Sequence, residues 1–386
     1  MTSVPRLLYV AALGSGFSYS NLALALPLYA LATGRSATFA AQLLAIQTCS
    51  IALGSLAAGP LLARAGAWRA LAVGLGLMAC GQATLFVSPA LATLVAGAAV
   101  HGTGVGLFWV GTQTLLAGRS GRSGSERAFV NQYALYVVGT ASGAAVTGAA
   151  ASLLRLAGLG RADSIRATFA LALAAAALCA VRCRRVRAAR SAGPARVPSP
   201  ARGLTVQLPD LLLVAGIAFV LPLVPIVLKT TFGFSPFETG VVVGAIAAAK
   251  VAGSYVAGWL AASAGVRRAI FGMLLVAAPL AFVLAEVHSA LLFVALVVTT
   301  ALLMTGVWPV LVDAAHARIA PDERRDLAVA WNVREYLAIA AATASAGWLF
   351  SAFAGPAILL LCSGALLAAS ALASAAVLRR PVHALA

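Results

Sequence analysis

Two stretches decide the fold: Gly54 to Ala70, GSLAAGPLLARAGAWRA, and Gly253 to Ala269, GSYVAGWLAASAGVRRA. They lie 199 residues apart and match at 10 of 17 places. At the same offset Gly34 and Ser36 meet Gly233 and Ser235, and Trp109 meets Trp308. A repeat of this length divides the chain into two homologous halves. Each copy sits where one apolar run ends and the next begins. Its glycines permit close helix packing and a tight turn, while its arginines suit contact with lipid headgroups.

The runs on either side explain why the repeat belongs in a bilayer. Of the 386 residues, 62% are hydrophobic and only 10% charged, against about 25% charged in a soluble domain. Such a chain has too little polar surface for a soluble globule, which excludes a disordered chain, a disulfide scaffold and an ordinary cytosolic enzyme. Apolar runs fall at about 5–31, 37–62, 67–88, 90–117, 128–153, 164–182, 208–230, 236–262, 268–287, 289–313, 327–351 and 355–378. Each is near the roughly 20 residues that cross a bilayer, so twelve spans are expected.

The net charge of +17 is not a nucleic-acid signal, because the basic residues fall in short connections between spans. With the N-terminus in the cytoplasm, 20 of them gather on that side and only Arg35, Arg155, Arg161, Arg166 and Lys229 on the other. The positive-inside rule therefore places both termini in the cytoplasm. The segment RRVRAARSAGPARVPSPARG reads as a basic linker over 184–207, between an N-terminal bundle at 1–183 and a C-terminal bundle at 208–386. The five cysteines lack metal-ligand spacing and read as packing residues; no metal or cofactor is expected.

The spacing of Gly59, Arg64, Gly66 and Arg69, echoed by Gly258, Gly265 and Arg268, resembles the loop signature between the second and third spans of the major facilitator superfamily and its weaker copy between the eighth and ninth. The resemblance covers essentially the whole chain. It implies an all-α integral membrane fold of two six-helix bundles related by a pseudo-two-fold axis along the membrane normal. It also implies a substrate site near mid-bilayer. Two departures stand out. Ala63 and Ala262 occupy the position where the family usually has Asp. The fifth-span run from Gly139 to Gly148 is similar to the family's antiporter motif but has Ala144 where a Pro would stand.

Buried polar residues supply the candidates for the site, since charge at mid-bilayer is retained mainly where it faces a cavity or a partner. Lys250 lies near the middle of the eighth span and is one of only two lysines in the chain. A substrate role and a structural pair with a carboxylate such as Glu335 are both open for it. Arg334 and Glu335 adjoin in the eleventh span, pointing about 100° apart, so one faces the cavity while the other ties to a neighbouring helix. A cation on each of these two helices is similar to the pair with which a bacterial oxalate transporter of the superfamily clasps its dicarboxylate. The N-terminal half offers neutral groups: Tyr19 and Asn21, His101, Trp109 and Gln113, and Asn131 and Tyr133. These suit hydrogen bonding and stacking on a polar organic solute. Glu335 and His101 are the groups able to carry a coupled proton. Pro27, Pro222 and Pro225 are placed to bend the first and seventh spans.

The expectation is a monomeric, non-enzymatic secondary transporter of a small anionic or zwitterionic solute, with possible proton or counter-ion coupling. An Arg-rich, Lys-poor composition points to a GC-rich bacterial genome and hence to the inner membrane. Proton-coupled efflux of a drug or metabolite is the alternative, and a lipid-handling or sensory protein that keeps the fold without transport is a remote one.

Overall fold

The computed structural model describes residues 3–117, 125–184, 203–316, 324–353 and 355–379. Among these are thirteen α-helices and one 3-10 turn, with no strand. The helices are α1 (Ser3–Ala32), α2 (Ala37–Ala65), α3 (Ala67–Val87), α4 (Leu91–Ala117), α5 (Ser125–Leu156), α6 (Arg161–Arg184), α7 (Leu204–Ala218), α8 (Val224–Thr230), α9 (Pro236–Ala264), α10 (Val266–Leu284), α11 (Ala290–His316), α12 (Arg324–Ala352) and α13 (Ala357–Val377). The twelve expected spans are all present, with α7 and α8 sharing the seventh. Eleven spans are long and apolar enough to cross a membrane; the other, α12, carries Arg334 and Glu335. Most of the basic linker lies outside the described residues.

The seventh span is broken because Pro222 and Pro225 remove two backbone donors in succession. A 3-10 turn at Leu221–Leu223 bridges α7 and α8. By contrast, α1 runs unbroken through Pro27. The seventh span also begins at Leu204, ahead of the 208 that hydropathy suggests. This shift decides the fate of one residue in the site below.

The sequence repeat is a structural repeat. Helices α2 and α9 begin at 37 and 236, α3 and α10 at 67 and 266, α4 and α11 at 91 and 290, and α5 and α12 at 125 and 324. Every pair is 199 apart. The Ser36 and Ser235 hydroxyls accept from the amides of Phe39 and Glu238 at 3.1 and 3.3 Å, and Glu238 returns a bond to the Ser235 amide at 2.7 Å. That reciprocal arrangement is a capping box. The turns after α2 and α9 pass through Gly66 and Gly265 at φ +82° and +90°, a region that disfavours any residue with a Cβ.

The motif glycines divide by task. A Cβ on Gly54 would collide with the Thr103 carbonyl, and one on Gly253 with the equivalent carbonyl of Leu302. The backbones of α2 and α4, and of α9 and α11, therefore touch at the same place in the two copies. Gly59 and Gly258 have nothing within 4 Å of a Cβ and take no part in this packing. Arg64, Arg69 and Arg268 are exposed, as residues meeting headgroups or water should be.

The chain forms two compact units. The first comprises residues 1–195 with 234–244, and the second 196–233 with 245–386. In the first, α1 packs on α5 and α6, α3 on α4 and α6, and α2 on α4. Tyr29 and Phe169 meet edge to face in its core, with ring centroids 5.9 Å apart. The opening turns of α9 pack on α5, where Gly148 lies against the Pro236 carbonyl. In the second unit α10 packs on α11 and α13, and α7 on α11, α12 and α13. Hydroxyl donors hold α13 to α7: Ser363 reaches the Gly216 carbonyl at 2.8 Å and Ser370 the Pro209 carbonyl at 2.7 Å.

Candidate functional site

In the first unit the polar residues separate into a buried network and a half-buried aromatic group. His101 on α4 is fully buried. Its Nε2 lies 3.2 Å from the Ser18 Oγ of α1, and its Nδ1 lies 3.4 Å from the Gln47 amide nitrogen of α2. With that amide donating to Nδ1, the ring proton sits on Nε2 and is donated to Ser18. Gln82 of α3 donates to the Ser18 carbonyl at 3.0 Å and to its hydroxyl at 3.4 Å. His101 is thus the centre of a four-helix hydrogen-bond network with both ring nitrogens engaged. Asn21 has a similar place: its amide donates to Thr147 Oγ1 at 2.8 Å and to the Thr168 carbonyl at 3.1 Å, joining α1 to α5 and α6. Bonds of this kind between membrane helices average about 0.6 kcal/mol.

Tyr19, Trp109 and Tyr136 form the other group. Trp109 and Tyr136 meet edge to face at 4.7 Å, and Tyr19 lies 6.3 Å from Tyr136. All three are half-buried, as are Gln113 and Tyr133, whereas Asn131 is exposed. Three helices, α1, α4 and α5, therefore converge on one aromatic surface. Edge-to-face pairing contributes about 0.5–1.5 kcal/mol beyond burial and leaves ring faces available for stacking. Tyr136 completes the group and belongs with the candidate residues.

The second unit holds the charged candidates. Lys250 on α9 is half-buried, and no ion pair of its ammonium occurs among the described residues. The pairing with Glu335 that the sequence left open is not found there. Arg334 and Glu335 on α12 diverge as helical geometry requires. Arg334 donates from Nη1 to Gln207 Oε1 at 3.0 Å, and the Gln207 amide in turn donates to the Trp331 carbonyl at 2.9 Å. Glu335 on the same helix is buried, at 7% exposure.

Asp210 is the site residue that the sequence did not reveal. A span beginning at 208 puts it at the membrane boundary; with α7 starting at Leu204 it lies nearly two turns inside and is 1% exposed. The Trp331 and Trp308 indoles and the Gln207 amide bring N–H donors towards its carboxyl. No donor among the described residues meets either oxygen with full hydrogen-bond geometry. The available signal was Gln207 and Asp210 at i and i+3, two polar groups on one face of an otherwise apolar helix.

Comparison with known proteins adds the family. The model of the Major Facilitator Superfamily matches twice, over residues 8–214 and 210–385. A search of curated proteins finds no match. Among solved structures, a POT family transporter in complex with a thioalcohol-conjugated peptide superposes with a TM-score of 0.76 at 14% identity, covering 96% of this chain and 95% of that one. A POT family transporter in complex with 5-aminolevulinic acid gives 0.75 at 14% identity, over 96% and 95%. A structure described as giving insight into substrate recognition in proton dependent oligopeptide transporters gives 0.72 at 14% identity, over 97% and 98%. At such identities the likeness shows the fold alone. Together with a helix repeat that runs through eight spans at one offset, the matches over both halves show that this chain belongs to the Major Facilitator Superfamily.

Proposed function

We propose that the protein is a secondary transporter that carries a small anionic or zwitterionic organic solute across the cell membrane by alternating access, with both termini in the cytoplasm. The observation that carries the reading is Lys250, a half-buried ammonium in a membrane helix with no ion pair among the described residues. Charge so placed is costly, and an anionic ligand offsets the cost. Arg334 supplies a second cation on α12 of the same unit. The solutes named for the similar transporters, a peptide conjugate and 5-aminolevulinic acid, have the charge pattern that a unit with a cation and buried acids suits.

Efflux of a lipophilic cation is the second reading. It is favoured by the aromatic surface of Tyr19, Trp109 and Tyr136 in the first unit, which is suited to cation–π contact. A thermal-shift panel on the purified protein separates the two. Dicarboxylates, amino acids and dipeptides are expected to stabilise it, by about 2.7 kcal/mol at a hundredfold excess over Kd. Stabilisation by lipophilic cations alone would reverse the assignment.

A further inference from the structure

We infer that the hairpin of α9 and α10 carries a surface for one anionic phospholipid, with Tyr255 and Trp259 against its acyl chains and glycerol and Arg267 and Arg268 on its phosphate. The inference takes from the reading above only the orientation that puts this hairpin in the cytoplasmic leaflet. It needs no solute.

Helical spacing builds the surface. Tyr255 and Trp259 stand four residues apart on α9, so their rings share one face. They are 64% and 69% exposed. Rings so placed near the end of a membrane helix set an apolar body among acyl chains and a polar O–H or N–H at the level of the headgroups. Past the turn at Gly265, Arg267 and Arg268 open α10, and both are exposed. Neither forms an ion pair among the described residues. The first turn of α10 holds no acid, nor do the last two turns of α9. Asp313, exposed near the end of α11, is an acid at this end of the unit and pairs with neither. Two adjacent guanidiniums without a counter-charge suit a phosphate, which each can grip through paired N–H donors.

The first copy of the repeat lacks this combination. At the offset of 199 residues Tyr255 corresponds to Leu56, Trp259 to Pro60, Arg267 to Trp68 and Arg268 to Arg69. The Trp68 indole is packed inside, at 4% exposure, and one arginine follows it. In the second copy that position is an exposed arginine, and the indole stands outside on α9. Both turns pass through a glycine of positive φ, so the hairpin requires neither the exposed rings nor the second arginine. Trp348 on α12 offers another contrast: it is equally exposed, yet no basic residue follows it before Arg379. Exposed rings alone suit any lipid, whereas rings beside two unpaired cations select an anionic one.

The test is native mass spectrometry of the purified full-length protein, delipidated in detergent and titrated with phosphatidylglycerol or phosphatidylcholine of the same acyl chains. Wild type is expected to hold its first phosphatidylglycerol about thirtyfold more tightly than phosphatidylcholine, a factor of about five for each arginine. Arg267→Gln combined with Arg268→Gln should bind the two lipids alike. Trp259→Leu should weaken both and keep the preference. Arg64→Gln combined with Arg69→Gln, in the first copy, should leave the preference intact, as should Trp348→Leu. All the substituted side chains are exposed; if the Arg267 and Arg268 double variant fails to fold, Arg268→Gln alone carries the comparison, with a loss of about fivefold. Equal binding of the two lipids by wild type, a preference that survives loss of Arg267 and Arg268, or an equal loss in the first-copy variant would overturn the surface. Displacement of phosphatidylglycerol by inorganic phosphate at similar concentration would also overturn it, by marking a site for a soluble anion.

Discussion

Lys250→Met should make the substrate-free protein more stable and deprive it of its response to anionic solutes. An ammonium in a membrane helix, with no ion pair among the described residues, loses hydration without recovering it from a carboxylate. Replacing even a buried ion pair by apolar side chains of similar volume is often neutral or stabilising, by about 1–4 kcal/mol, and an ammonium without an ion pair has less attraction to lose. Removing the anchor for an anion at a desolvated contact costs about 2–5 kcal/mol of binding, at least about 30-fold in affinity. The two effects have opposite signs and are read from one experiment, the melting temperature with and without solute. Lys250→Arg should retain part of the response, since it keeps the charge while altering its reach. A structural role for Lys250 predicts the reverse: lower stability for Lys250→Met with solute response preserved.

The second large effect is expected at the helix crossing. Gly253→Leu should prevent the C-terminal unit from forming native packing, because a Cβ there meets the Leu302 carbonyl. Overpacking a well-filled contact costs about 1–3 kcal/mol when neighbours can shift, and a backbone carbonyl in a long helix has little room to do so. Gly258→Leu, on the same helix and equally within the repeat, has nothing within 4 Å of its Cβ. It should leave the melting temperature nearly unchanged. Size-exclusion behaviour and thermal melting of the two variants side by side check this; equal tolerance would remove the crossing as the reason for glycine at 253.

The contrast between Gly253 and Gly258 also shows what a sequence can convey. The 199-residue offset was readable from one seventeen-residue match and proved to hold for the starts of eight helices. Repetition of backbone geometry leaves its mark as repeated glycines, a cap and a turn. Which glycine touches its neighbour depends on helix rotation, and the motif spacing does not carry that information.

The site was legible to a similar depth. Lys250, Arg334 and Glu335 stood out because charge within an apolar run is rare and costly. Trp109 stood out as half of a repeated pair. His101 and Asn21 were equally conspicuous by composition, yet the structure places them among helices as hydrogen-bonded ties. A polar residue in a span announces that it has a partner without saying whether the partner is protein or solute. Asp210 was obscured for another reason: hydropathy locates a span by its apolar centre, and a polar residue near the end shifts the apparent boundary past itself. The true start at Leu204 emerges only from the helix and its packing on α12 and α13.

The central claim, transport of an anionic or zwitterionic solute anchored by Lys250, is tested most directly by currents from the reconstituted protein on a solid-supported membrane. Rapid exchange to a panel of dicarboxylates, amino acids, dipeptides and lipophilic cations would be applied to wild type and to Lys250→Ala. The account predicts a transient current in wild type for a member of the anionic or zwitterionic classes, and its loss in Lys250→Ala. Currents confined to lipophilic cations, or an anion current that survives Lys250→Ala, would contradict it.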